Sequence, residues 1–189
     1  AFIAFRFYGF IFKDNIAVEE DTELYIPSDA QMDSLLDSMR IKKLLINEAP
    51  FLWVADKMKF KTIKSGKYII QPDWNNKMLI SHLRSGNQTA TNVTFNNVRT
   101  IYELGKELSN KLEPDSSEFV DYFLNVDNMA SVGLDSSTII TLFIPNTYEF
   151  YWDSSPAKVF NKMKVEHDRF WDESRREKLA QSGFTETEV

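Results

Sequence analysis

Apolar residues in this chain come in short blocks of two different periods, and that alternation restricts its fold more than any other feature. Glu23–Ile26 and Lys67–Gln71 are compact runs closed by Pro27 and Pro72, as strands are. Between them Met32, Leu35, Leu36 and Met39 recur at helical spacing, followed by Phe51, Val54, Ala55 and Met58. Each set lines one face of a helix. Ser28-Asp-Ala-Gln31 reads as a capping box for the first helix, and Asn47 as the cap of the second, with Pro50 in its first turn. The pattern predicts strand, helix, helix, strand: a βααβ unit whose two strands are free to pair.

The same alternation continues. A third helix is predicted from Asn75, with Met78, Leu79 and Leu83 inward, His82 beside that face and Gly86 as C-terminal cap. Thr91–Phe95 alternates like a strand, and Ile101, Leu104, Leu108 and Leu112 mark an amphipathic helix. Asp115-x-x-Glu118 caps a short helix carrying Phe119, Tyr122 and Phe123. Thr138–Ile144 is predicted as a buried strand, with a turn at Pro145-Asn146 and a further extended piece over Tyr148–Trp152. Ser155-Pro156 starts a helix expected to run to about Ala180, with Val159, Phe160, Met163, Phe170 and Trp171 as its apolar residues. The small, polar stretch 86–92 is the expected domain seam. No repeat or low-complexity segment interrupts, and the class is α+β.

Composition removes several chemistries. With 22 Lys and Arg against 28 Asp and Glu, the net charge of -6 does not suit nucleic acid, whose phosphates call for a basic stripe. Cysteine is absent, so thiol catalysis and thiolate metal sites are excluded, and His82 and His167 alone make no histidine-rich metal site. No glycine-rich phosphate loop and no Gly-x-Ser-x-Gly elbow can be found. What remains is carboxylate chemistry, with Glu149, Asp153, Glu166 and Asp168 beside aromatic residues. Glu149 lies within Asn146-Thr-Tyr-Glu-Phe-Tyr-Trp152, a cluster able to stack on sugar faces and hydrogen-bond hydroxyls. The plainer alternative is a well-packed strand with Glu149 on its solvent side.

Both ends of the sequence carry signals. Residues 1–12 hold ten apolar residues, too few to cross a bilayer by themselves, since a spanning helix needs about 20. A buried strand, a secretory signal core and the outer end of a membrane helix all compete for this run. The membrane reading is preferred, with Phe and Tyr at the interface. Thr185-Glu-Thr-Glu188 reads as a capping box that announces a further helix. A strand–helix set lacking one layer should leave an apolar patch exposed, or have it capped by crystal or dimer contacts.

Leu142-Phe-Ile-Pro-Asn-Thr-Tyr-Glu-Phe150, followed by Ser154-Ser-Pro156 and a long amphipathic helix, resembles the MltG/YceG-like family of endolytic murein transglycosylases. In that family a Phe-Pro-Asp-Thr-Tyr motif stands where this chain has Ile144 to Tyr148, so Ile144 replaces Phe and Asn146 replaces Asp. Ser65-Gly-Lys-Tyr68, the Pro72 turn and Leu83-Arg-Ser-Gly86 look like the end of the family's LysM-like domain, and Thr91–Leu112 like the start of its catalytic domain. The family's Glu-Gly pair after that strand is replaced by Asn96-Asn97-Val98.

The resemblance covers residues 20–189 and implies an anchor remnant at 1–12, a LysM-like βααβ domain at 20–87 and the first part of an α+β catalytic domain at 88–189. It implies a single-pass protein of the bacterial inner membrane with its domains in the periplasm. Its partners would be peptidoglycan glycan strands and cell-wall synthesis enzymes. It implies cleavage between N-acetylmuramic acid and N-acetylglucosamine by one carboxylate, leaving 1,6-anhydro ends, without metal or cofactor. The family's catalytic glutamate lies in an Ala-Ser-Ile-x-Glu-Lys-Glu helix that has no counterpart here, so this chain is expected to be inactive, with Glu149 a weak fallback. Asn146, Thr147 and Tyr148 would shape the cleft. The rivals are a non-catalytic peptidoglycan-binding scaffold and an aminodeoxychorismate lyase. The lyase would need pyridoxal phosphate and a phosphate-binding loop, and nothing in the sequence resembles such a loop.

Overall fold

Thr22–Ile26 (β1) and Gly66–Ile70 (β2) pair antiparallel, with Leu24 opposite Tyr68 and Ile26 opposite Gly66. This is a computed structural model, and it describes residues 8–188. The chain is α+β and divides into two units between Ala90 and Thr91. In the first unit the helices Met32–Ile41 (α1) and Glu48–Lys57 (α2) separate the two strands, and Asn76–Ser85 (α3) follows them. Leu24, Ile26, Tyr68 and Ile70 alternate onto one face of the sheet and are fully buried with Leu35, Phe51, Leu79 and Ile80. That single core is why the strand–helix–helix–strand pattern folds back on itself.

Local chemistry sets the helix limits. The Asn47 side chain accepts from the Ala49 N–H and the Asn75 side chain from the Met78 N–H, satisfying amides the helix cannot. α3 ends at Gly86, whose φ of 74° is the left-handed conformation glycine adopts without a Cβ penalty. Ser28 does not cap α1. Pro27 instead opens a turn in which the Ala30 N–H donates to the Pro27 carbonyl, and α1 begins after Gln31 without a side-chain cap. Met78, expected to face inward, is 44% exposed; the buried face is Leu79, Ile80 and Leu83.

Of the expected anchor remnant 1–12, residues 1–7 lie outside the described residues, while residues 8–12 are helical. The chain then runs along the first unit. The Ala17 N–H donates to the Leu44 carbonyl, and the Ile46 N–H to that of Asn15. Among the described residues, no helix is long and apolar enough to cross a membrane.

In the second unit Thr91–Phe95 (β3) pairs antiparallel with Asn146–Phe150 (β4), placing Val93 opposite Tyr148. The helices Ile101–Ser109 (α4), Ser116–Phe123 (α5) and Val126–Ser131 (α6) lie between them, and Pro156–Phe170 (α7) and Glu173–Ser182 (α8) follow. The core gathers Leu104, Leu108, Phe119, Phe123, Val159 and Met163 around the inward residues of the two strands. The Asp115–Glu118 capping box forms reciprocally. Gly105 lets α4 and α5 approach: a Cβ there would stand 2.9 Å from the Ser116 carbonyl oxygen.

Three elements differ from expectation. Thr138–Ile144 is not a strand; Ile139–Leu142 forms a 3₁₀ turn. The Asp135 carboxylate accepts from the amides and hydroxyls of both Ser137 and Thr138, and this local cap wins over the β-propensity of the apolar run. The long helix expected to reach Ala180 breaks at Trp171. Asp172 there accepts from the Arg175 N–H and starts α8. The extended piece expected at Tyr148–Trp152 begins earlier, at Asn146.

Candidate functional site

Phe143, Ile144 and Pro145 leave the 3₁₀ turn and enter β4, and an open groove of about 900 Å³ lies beside them. Val98 and Ile140 extend this wall, and Phe170, Trp171, Leu179 and Phe184 form the other. Arg175 stiffens the groove's far wall. Its guanidinium stands 4.6 Å from the Phe170 ring centroid and donates to the Phe170 carbonyl and to Asp172. Lys178, Ser182 and Glu186 supply polar groups at its edge.

The residues singled out by sequence have different placements. Asn146 is exposed at the start of β4, and its Oδ1 accepts from the Thr147 N–H at 2.8 Å. Thr147 is exposed too, its hydroxyl 2.7 Å from that of Thr94 across the sheet. Tyr148 points the other way. It is 6% exposed, its ring stacks on Phe95 at 5.4 Å, and its phenol donates to the Ile144 carbonyl at 2.6 Å. Burial, and secondarily the charge of Glu166, push the phenol's pKa above its ordinary value. Tyr148 thus ties the turn together from inside.

Glu149 lies on the exposed face of β4 opposite Asn92, while its main-chain carbonyl accepts from Lys162 Nζ at 2.6 Å. Asn92, Thr94, Thr147 and Glu149 together make a polar, solvent-facing side on the β3–β4 sheet. Asp153 is half-buried and Asp168 exposed; Glu166 is bound by Arg169 at 2.9 Å. Among the described residues, every carboxylate whose pKa moves is moved down by hydrogen bonds, Asp135 to about 2. No group of three or more acidic or imidazole side chains is arranged to hold a metal there.

Sequence reading missed the groove's second wall. Its signal was the Phe170-Trp171 pair followed by Asp172, which marks a helix break as well as an apolar face. It also missed Asn15 and Asn76, both buried, which no motif marks.

An α+β chain of two units, the second with an apolar groove against the strand entry at Pro145-Asn146, is the class these features define. The model of the YceG-like family matches residues 24–189, and the chain belongs to that family. A 2.6 Å crystal structure of a YceG-like protein from Listeria monocytogenes is similar at 14% identity and a TM-score of 0.46, over 88% of this chain and 60% of that one. This chain therefore spans about 60% of that relative's length. No curated protein matches it.

Proposed function

We propose that the chain is part of an endolytic lytic transglycosylase that cleaves peptidoglycan strands in the bacterial envelope, with the second unit forming one side of the glycan cleft. Membership of the YceG-like family over residues 24–189 carries this reading. The polar sheet face at Asn92, Thr94 and Thr147 supports it, because sugar hydroxyls call for exposed hydrogen-bonding groups of this kind. In the reaction a carboxylic acid protonates the glycosidic oxygen as the C1–O bond breaks. The resulting carboxylate takes the proton of the muramic C6 hydroxyl, and O6 bonds to C1. The product is a 1,6-anhydro end and no water is consumed, in contrast to glycoside hydrolysis with two carboxylates.

The acid/base belongs, on this proposal, to the Glu of the family's Ala-Ser-Ile-x-Glu-Lys-Glu helix, and the groove beside Pro145 and Asn146 positions the strand. The protein would be held in the inner membrane by an N-terminal helix, with its domains in the periplasm beside cell-wall synthesis enzymes. The test is product analysis of purified peptidoglycan by mass spectrometry, with this chain and with a longer form carrying that helix. Anhydro ends from the longer form alone, lost on its Glu→Gln change, bear the proposal out. Anhydro ends from this chain would move the chemistry to Glu149. Glycan binding by both forms with turnover by neither would make the protein a scaffold.

A further inference from the structure

The first unit carries an exposed surface of aromatic and basic side chains. Tyr8 and Phe12 lie one turn apart on helical residues 8–12, their rings 4.7 Å apart, and are 61% and 44% exposed. Lys77 Nζ stands 5.6 Å from the Phe12 ring centroid, and the neighbouring Met78 is 44% exposed. Lys13 is exposed beside them, and Asp14 is the only acid among residues 8–18.

This short helix is fixed to the unit by a buried clasp. Asn76 Nδ2 donates to the Phe10 carbonyl at 2.8 Å, and Asn76 Oδ1 accepts from Asn15 Nδ2 at 2.8 Å. Asn15 also exchanges hydrogen bonds with the Asn47 backbone, donating to its carbonyl and accepting from its N–H. Phe10 meets Trp53 edge-on at 5.8 Å. The aromatic pair is therefore held outward by the same contacts that turn Phe10 inward.

Of the basic groups, Lys77 stands over the Phe12 ring and Lys13 follows Phe12 in the chain, whereas Lys57 pairs with Asp56 and Lys67 with Glu23 away from this face's aromatic pair. The excess acidity of the whole chain lies in residues 91–189, and residues 1–90 are close to neutral. Paired aromatics with flanking lysines match the headgroup zone of a bilayer, where amphipathic rings settle and ammonium groups meet lipid phosphate.

We infer that the face formed by Tyr8, Phe12, Lys13, Lys77 and Met78 lies on an anionic phospholipid surface, so that the first unit rests on the membrane. This rests on the envelope location proposed above but not on the transglycosylase reaction. The experiment is co-sedimentation of the full chain with neutral phosphatidylcholine vesicles and with vesicles containing 30% phosphatidylglycerol, as a function of salt.

The neutral vesicles report the apolar N-terminal run, and the extra binding to anionic vesicles reports the face, so the two can fail separately. Lys13→Ala with Lys77→Ala should lower anionic partitioning by about 30-fold at low salt, since each surface lysine contributes about fivefold, and leave neutral partitioning unchanged. Tyr8→Ser with Phe12→Ser should weaken binding to both. Far-ultraviolet dichroism and melting confirm that these exposed changes leave the fold intact. The inference is overturned if wild type shows no anionic preference, or if the double-lysine variant partitions like wild type. It is equally overturned if the face instead joins two copies of the chain, read as a dimer in sedimentation that both variants dissolve.

Discussion

Tyr148→Phe separates a phenol that ties a turn from one that meets substrate. The ring, 6% exposed and stacked on Phe95, stays where it is, so the substitution removes a single hydrogen bond of 2.6 Å to the Ile144 carbonyl. A typical internal hydrogen bond contributes about 0.5–1.5 kcal/mol net. Ile144 is half-buried, so water can reach the freed carbonyl, and the cost should stay near ~1 kcal/mol rather than the full penalty of an orphaned group. For a unit of about 100 residues that lowers Tm by about 4–8 °C. Urea denaturation gives the free energy, and hydrogen exchange read on peptides covering 91–95 and 143–150 locates it. Tyr148→Ala, which also deletes the ring, should cost about 3–5 kcal/mol by analogy with buried Phe.

The pH dependence adds a second readout. The folded pKa of Tyr148 lies above the ordinary value of 10, so the folded state keeps the proton that the unfolded chain releases. Its contribution is intact below pH 10 and fades as pH rises through the folded value. Tyr148→Phe should lack that part of the alkaline loss. Tyr25, pushed up to about 12 by burial and by its hydrogen bond to Glu23, provides the same background in both proteins. Equal stability of Tyr148→Phe and wild type, with unchanged exchange at 143–150, would refute the tying role.

Gly105→Ala places a Cβ 2.9 Å from the Ser116 carbonyl and 2.9 Å from Val120 Cγ2. Overpacking at about 1–3 kcal/mol should exceed the ~1 kcal/mol gained in helix propensity, so urea titration should show net destabilisation. Asn76→Ala removes one buried and one part-buried hydrogen bond at a residue 1% exposed, a loss of about 1–3 kcal/mol by denaturation. Hydrogen exchange across 8–17 should accelerate with it. Glu149→Gln, on the solvent side of β4, should change neither the melting temperature nor the yield of anhydro ends from the longer form. A tenfold drop in that yield would reinstate Glu149 as the acid.

The elements that were legible share one physical property: their local signal agrees with their tertiary role. Asn47, Asn75 and Asp115 cap where their side chains can reach the amides two or three residues on, and Leu104 and Leu108 are buried because the helical period brings them to one face. The failures arise where two local signals compete. Thr138–Ile144 is β-branched and apolar, but Asp135 lies in the preceding turn with a carboxylate that can satisfy four donors at once. Ser28 has the spacing of a cap, but Pro27 fixes a turn one residue earlier. In the candidate site the strand alternation places Glu149 on the solvent side, as the plainer sequence reading has it, and turns Tyr148 inward, away from the cleft role the family motif implies. The pairing of the groove's walls was not legible, because Val98, residues 140–145 and residues 170–184 are separated in the chain and only the fold brings them together.

That inward turn decides what the departures from the family's Phe-Pro-Asp-Thr-Tyr motif cost. At Asn146 the side-chain Oδ1 accepts from the Thr147 N–H. A carboxylate oxygen would occupy the same place, so Asn for Asp keeps the turn's acceptor and removes only a charge from an exposed position. At Ile144 the hydrogen bond runs to the main-chain carbonyl, which any residue offers. Its side chain lines the groove, so Ile for Phe changes the shape of an apolar wall without loosening the turn. Tyr148, which must supply both a ring to the core and a phenol to the Ile144 carbonyl, is the position where neither substitution is free, and it is unchanged. The motif thus divides into an internal tie, kept, and two positions nearer the surface that can vary, one changing the shape of the groove's wall and the other an exposed charge.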